Sequence, residues 1–192
     1  IGAYWALYTD VLLKEQLDKL VNHLKDTTTF NRPHRVPSLS ADNPKYNPVG
    51  RYWQGGVWPG TNYMVITGLD KKGFTPLAKE IAANHYSRVF EVYKNTGTFW
   101  EYYAPEAIET GFMSRTDFVG WTGLPPIAVF IEYILGISSD LAENTVIWDI
   151  TLTDVHGIDR YPYGPECLIT LKAKHRNSSV DTPSFTIDSN IT

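Results

Sequence analysis

Between residues 10 and 26 apolar positions recur every three or four residues. Leu13, Leu17, Leu20, Val21 and Leu24 fall against Lys14, Glu15, Asp18 and Lys25, which predicts an amphipathic helix. The pattern then stops. Residues 27–59 are polar and carry Pro33, Pro37, Pro44 and Pro48, so they read as one long connection. Phe30, Tyr46, Tyr52, Trp53 and Trp58 within it argue for an ordered segment, because disordered chains are poor in aromatics. Helical spacing returns at Tyr63, Ile66 and Leu69, with Val65 beside them, behind Thr61 as the expected cap and ahead of Gly73 as the stop. Thr75 and Pro76 then open a further helix through Leu77, Ile81, His85, Val89, Phe90 and Tyr93, to about Asn95 before Gly97. A second long connection covers residues 96–124. Pro125 and Pro126 introduce a strongly apolar helix over residues 127–135, closed by Gly136.

After Asp140 the period changes from helical to alternating. Residues 145–152, 166–173 and 184–189 read as strands with Pro and Gly punctuation between them. The expected organisation is therefore mainly α over residues 1–138, with a β-strand appendage over residues 139–192 packed on it. The helix links differ in kind. One is tight, from Gly73 to Thr75, and two are long and rich in aromatics. Stacked helix hairpins with short turns at one rim and long loops at the other make an α/α toroid, and long loops on a rigid scaffold are where sites are built.

Composition narrows the function classes. A net charge of −4 with both signs interspersed gives no reason to expect nucleic acid or an anionic membrane as partner. The His residues show no ligand spacing with Cys or acids, so no metal and no cofactor is expected. Cys167 is alone, which excludes an internal disulfide. No apolar run is long enough to span a bilayer. The chain opens on Ile1 and shows no targeting segment, which leaves localisation open, with a periplasmic or secreted protein among the alternatives. Asn-x-Ser/Thr triplets stand at Asn177 and Asn190 and carry weight only in a secretory context.

Aromatic content of 14% changes the picture because of where the rings fall. Flat indole and phenol rings stack against the C–H faces of sugars, while their N–H and O–H groups take polar partners. Three stretches concentrate them. The first, residues 50–59, sets Trp53, Gln54 and Trp58 around Gly55-Gly56 and leads into Asn62. The second, residues 97–106, sets Glu101 among Phe99, Trp100, Tyr102 and Tyr103. An aromatic frame suits a carboxylate to proton transfer near neutrality. Glu106 and Glu109 follow in polar sequence and read as solvated. The third, residues 117–125, sets Phe118 and Trp121 around Gly120 ahead of the last helix, with Thr122 as its expected cap.

In this order and spacing the three stretches resemble the C-terminal third of the catalytic domain of glycoside hydrolase family 63. That family holds processing α-glucosidases and bacterial relatives, with trehalases and mannosylglycerate hydrolases more loosely related. Its pattern is a Tyr-Trp-Arg-Gly-x-Val-Trp block opening a helix, a Glu-x-Tyr block, and a Phe-x-Trp-Thr/Ser block opening the last barrel helix. Here these read Tyr52-Trp53-Gln54-Gly55-Gly56-Val57-Trp58, Glu101-Tyr102-Tyr103 and Phe118-Val119-Gly120-Trp121-Thr122, and the resemblance covers roughly residues 1–136. Gln54 replaces the usual Arg, and Gly120 lengthens the third block by one residue.

The resemblance implies an (α/α)6 toroid and inverting hydrolysis of an α-glycosidic, α-glucosidic by expectation, bond. Glu101 matches the general base. Trp53, Gln54, Trp58 and Asn62 from the first block would line the sugar site, as would Trp100, Tyr102, Phe118 and Trp121 from the others. The family's general acid is an Asp in an upstream motif with no counterpart here. Asp117 is the one acid of its type near the aromatic loops and lies outside that motif. Four helices do not close a ring, so the reading predicts a missing N-terminal part of the barrel, or self-association over the uncovered helices. Two further readings stand beside it. A non-catalytic carbohydrate-binding helical module needs only the tryptophans. A lyase or epimerase on the same scaffold would need a His or Tyr base, for which His34 and His85 are the candidates, although a mid-helix His85 reads as packing.

Overall fold

The computed structural model describes residues 1–190. The chain forms two compact units, Ile1–Val129 and Phe130–Thr192. The first holds helices, and the second holds the end of the last helix and all the strands.

The first unit opens with a tight 3-10 turn, Gly2–Tyr8, which periodicity did not reveal. It buries Tyr4 and Leu7, and Leu7 packs closely against Gly68, where a Cβ would come within 2.8 Å of Leu7 Cβ. Helix α1 (Lys14–Lys25) buries Val21 and Leu24. It begins four residues later than the spacing predicts, because the Gln16 side chain accepts the Leu13 N–H at 2.9 Å and fixes the first turn there.

Helix α2 (Pro59–Lys71) also departs from expectation at its start. Pro59 takes the first helical position, where a missing N–H costs nothing, and Trp58 stands in extended backbone before it. Thr61 lies inside the first turn, its hydroxyl donating to Trp58 O at 3.0 Å. Gly73, at φ 80°, ends the helix in a conformation that a side chain would strain. Helix α3 (Thr75–Thr96) follows at once, packs on α2, and stops at Gly97 in the left-handed region. Its inner face buries Leu77, Ala78, Ile81, Ala82, His85, Val89 and Val92.

The two long connections carry little regular structure but are pinned by isolated bridges, Pro37 to Val57, Val57 to Tyr103, Tyr103 to Thr110 and Trp100 to Thr116. Val57, Val89, Val92 and Tyr103 form a core beneath them, with Phe99 and Trp100 packed against it. Each such fully buried side chain contributes about 1.5–3 kcal/mol. The last helix, Pro125–Ile134, is wound wide, with Val129 N–H on Leu124 O and Leu135 N–H on Phe130 O, five residues apart. Pro125 and Pro126 occupy its first two positions, where the missing N–H groups have no partner in the helix.

In the second unit β1 (Ile137–Asp140) and β2 (Thr145–Trp148) make a hairpin. β3 (His156–Gly164), β4 (Cys167–Ala173) and β5 (Phe185–Ser189) make an antiparallel sheet in that order. Leu135, Ile137 and Leu171 are its buried core. β1 and β3 were not expected. β3 lacks clean alternation because it bulges around Arg160, which takes a positive φ, and carries Gly157 and Pro162. Asn177 is exposed in the turn before β5; the triplet that starts at Asn190 runs into residues outside those described.

Candidate active site

The loop before α2 coils tightly enough to exclude side chains. A Cβ at Gly56 would sit 2.4 Å from Tyr52 O, so this position takes only glycine. The coil lays Trp53 flat on Trp58, with centroids 4.4 Å apart and planes at 14°. Tyr102 stacks on Trp58 at 4.4 Å, and Trp121 meets it edge-on at 5.4 Å. Trp58 Nε1 donates to Tyr52 O at 3.2 Å. Trp58 is therefore the hub of the cluster, 1% exposed, while Trp53 at 44% and Trp121 at 38% present their rings outward.

The second and third aromatic stretches are bonded to each other by backbone-directed contacts. Trp121 Nε1 donates to Glu101 O at 3.1 Å, and the Thr122 hydroxyl donates to Trp100 O at 2.8 Å. The Trp121 ring also rests on Gly60 at the head of α2, where a Cβ would come within 3.2 Å of it. Glu101 N–H donates to Arg115 O at 2.9 Å. Its side chain is half-buried and makes no hydrogen bond or ion pair with a described residue. Burial, and after it the Glu101 charge, raises the pKa of the neighbouring Tyr102 hydroxyl, which donates to Phe112 O at 2.7 Å.

The structure thus gathers Trp53, Trp58, Tyr102, Trp121 and Glu101 at the head of α2, with Phe118 beside Trp121 at 6.1 Å. Gln54 is exposed on the same loop as Trp53. Two of the expected residues stand behind this surface. Trp100 packs on the core under α3 and donates its Nε1 to the Thr96 hydroxyl at 3.1 Å. Asn62 is fully buried, and its amide binds the Val36 N–H, Val36 O at 3.1 Å and Trp58 O at 3.0 Å. It is a strut between α2 and the long connection. Asp117 is exposed and accepts the Thr98 hydroxyl at 2.7 Å.

Sequence reasoning missed two arrangements. Tyr52, 54% exposed, meets Trp53, Trp58 and Tyr102 edge-on and belongs to the aromatic surface. Glu106 is not solvated. Arg32 grips both its oxygens, Nε to Oε1 at 2.7 Å and Nη2 to Oε2 at 2.8 Å, and the Tyr46 hydroxyl donates to Oε1 at 2.5 Å. The Arg32 bonds hold the Glu106 carboxyl below its ordinary range, with Tyr46 adding to the effect, and the same pairing raises Arg32. Burial, then Glu106, pushes the Tyr46 phenol up. No local signal marks this cluster, since Arg32 and Glu106 are 74 positions apart.

His34 and His85 are both fully buried and bonded to each other, Nε2 to Nδ1, at 2.9 Å. Burial holds both neutral, His34 well below its ordinary range and His85 down to about 3. Both rings are shut off from solvent and hold each other, so neither is placed to act as the base of a lyase or epimerase. Among the described residues there is no group of three or more His, Cys, Asp or Glu that could hold a metal ion, and no helix is long and apolar enough to cross a membrane. A further concavity of about 290 Å³ lies along α3, lined by Tyr86, Phe90, Tyr93, Phe99, Pro125 and Pro126. It has aromatics but no carboxylate.

Residues 1–122 match the mannosylglycerate hydrolase MGH1-like glycoside hydrolase domain, a span that ends at Thr122, on the third aromatic stretch. The chain belongs to this glycoside hydrolase family. Its similarity to glycoside hydrolase family 63 extends to solved structures. The mannosylglycerate hydrolase of that family from Thermus thermophilus, in complex with glucose, is 25% identical with a TM-score of 0.52, over 66% of this chain and 28% of that one. A probable mannosyl-oligosaccharide glucosidase of Schizosaccharomyces pombe is 32% identical over 57% of this chain and 14% of its own length. An uncharacterized protein of Borreliella burgdorferi is 24% identical over 83% of this chain and 36% of its own length. The chain thus spans only about a third or less of the relatives it matches.

Proposed function

We propose that this chain supplies the general base and the aromatic sugar-binding loops of an inverting glycoside hydrolase acting on an α-glycosidic bond, α-glucosidic by preference. The observation that carries this is Glu101 itself: half-buried, its backbone carbonyl bound by Trp121 Nε1, its charge felt by the Tyr102 hydroxyl, and its carboxylate without a hydrogen bond or ion pair among the described residues. A carboxylate already saturated by donors accepts a proton poorly; one left open beside a stacking surface is free to take one from water. Trp53 and Trp121 give two outward rings for a pyranose, and Tyr52 edges the same surface.

In the step proposed, Glu101 takes a proton from a water molecule as its oxygen attacks the anomeric carbon. The bond from that carbon to the leaving oxygen breaks, and a second carboxyl group gives a proton to the leaving group. Inversion needs the two carboxyl groups roughly 6.5–9.5 Å apart, which leaves room for the water. That acid is assigned to sequence outside these residues, within an (α/α)6 toroid that such sequence completes. The helices of the first unit would then be part of the ring.

The test is hydrolysis of an α-glucoside by the polypeptide that carries this chain, with the released sugar followed by NMR. The β-anomer should appear first, and Glu101→Gln should lower turnover by about 10²–10⁴-fold. First release of the α-anomer overturns inversion. Unchanged turnover in the variant overturns the base. Glycan binding that survives Glu101→Ala, with no hydrolysis by any longer form, would favour a non-catalytic binding module instead.

A further inference from the structure

Three separate segments meet at Glu106. Arg32 comes from the stretch after α1, Tyr46 from the middle of the first long connection, and Glu106 lies five residues beyond Glu101. Both charged side chains are about three-quarters buried, at 25% and 24% exposure, and both Glu106 oxygens are engaged. A planar guanidinium binding a carboxylate at two points fixes orientation as well as distance.

Tyr46 extends this grip toward the aromatic surface. Its ring lies against Gly55, where a Cβ would meet Tyr46 Cε2 at 3.0 Å. The adjoining Asn47 N–H donates to Gln54 O at 2.8 Å, and a Cβ at Gly55 would also meet the Asn47 carbonyl oxygen, at 2.8 Å. Tyr46 and Asn47 therefore pack closely against Gln54 and Gly55, next in sequence to Trp53. Trp53 itself is half-exposed and touches the rings of Tyr52 and Trp58. Its height over Trp58 is set by the backbone it hangs from.

We propose that Arg32, Glu106 and Tyr46 are positioning residues, which lock the loop carrying Trp53 to the segment carrying Glu101 and so hold the Trp53 ring in its stack on Trp58. This rests on the reading of that surface as a sugar site. The device acts through Tyr46 and Gly55, and none of its three members contacts substrate. It ties two loops of the site to a single carboxylate, so one substitution remote from the rings displaces a ring.

The experiment uses the 192-residue chain without any sugar. Near-ultraviolet circular dichroism is recorded for the chain and for Trp53→Phe, and their difference is the contribution of Trp53. The same difference is then taken in Glu106→Gln and in Tyr46→Phe, each with and without Trp53→Phe. The expected result is collapse of the Trp53 contribution in the Glu106→Gln background and a partial loss in Tyr46→Phe, which keeps the ring against Gly55 but removes its hydroxyl. The signal of the other tryptophans and the far-ultraviolet spectrum should persist. A Trp53 contribution unchanged in both backgrounds overturns the proposal, and so does a loss spread evenly over all the tryptophans. No step requires turnover, so failure of the glycosidase reading would leave this result interpretable on its own.

Discussion

Two carboxylates five residues apart in one connection have opposite environments. Glu106 is saturated: two guanidinium N–H groups and a phenol hold its oxygens. Glu101 is held to Trp121 only through its backbone carbonyl, and its carboxylate has no such partner among the described residues. The same residue type in the same loop is thus a structural tie in one place and an unpartnered carboxylate, among the described residues, in the other. What separates them is the reach of other segments. Arg32 and Tyr46 come to Glu106 from the first long connection, whereas no side chain of that connection hydrogen-bonds or pairs with Glu101 among the described residues.

The contrast predicts a large asymmetry in stability. Glu106→Gln should cost about 1–3 kcal/mol in urea unfolding, the usual scale for losing hydrogen bonds to a charged group. Glu101→Gln, which removes no bond, should stay within about 0.5 kcal/mol of the parent. Equal costs would erase the distinction.

Acid should shrink that asymmetry. Folded Glu106 has a lowered pKa, so its ionised form contributes fully above the ordinary carboxylate value of 4.5 and the contribution is lost as pH falls through the lower folded value. The gap between the parent and Glu106→Gln should be constant from about pH 7 to about pH 5 and narrow below that. His34 and His85 add a separate loss shared by both proteins. Below their ordinary value of 6.5 the unfolded imidazoles take up protons that the buried ones do not. That loss reaches at most about 1.4 kcal/mol per pH unit for each. Urea titrations at several pH values separate the two effects, and a gap that widens in acid would contradict the assignment to Glu106.

A smaller loss of stability than at Glu106 is expected at the rim. Trp53→Ala removes a half-exposed ring from one side of Trp58 and should cost about 0.5–1.5 kcal/mol. It should weaken binding of methyl α-glucoside, measured by calorimetry, more than it weakens the fold. Unchanged binding would remove Trp53 from the sugar surface.

Local sequence patterns located what depends on neighbours along the chain. The α2–α3 hairpin, its stops at Gly73 and Gly97, and the change from helix to strand were all legible from periodicity and glycine placement. The convergence of the aromatic stretches was legible too, because long loops between packed helices must meet at one end. Contacts across long separations were not. The Arg32–Glu106 pair, the His34–His85 bond and the burial of Asn62 against Val36 are set by tertiary packing, and each side chain looks ordinary in its own stretch. Trp100 illustrates the limit from the other direction. It stands next to Glu101 in sequence, but its ring turns toward the core under α3. The groove beside Tyr86, Phe90 and Tyr93 shows that aromatics cluster at more than one place in this chain, so ring content alone does not single out a site.

The most direct test of Glu101 as the base is chemical rescue. Glu101→Ala in the polypeptide that hydrolyses an α-glucoside should lose turnover, and added azide should restore cleavage without needing a base, giving the β-glucosyl azide. Wild-type hydrolysis by Glu101→Ala, with no azide product, would contradict the account.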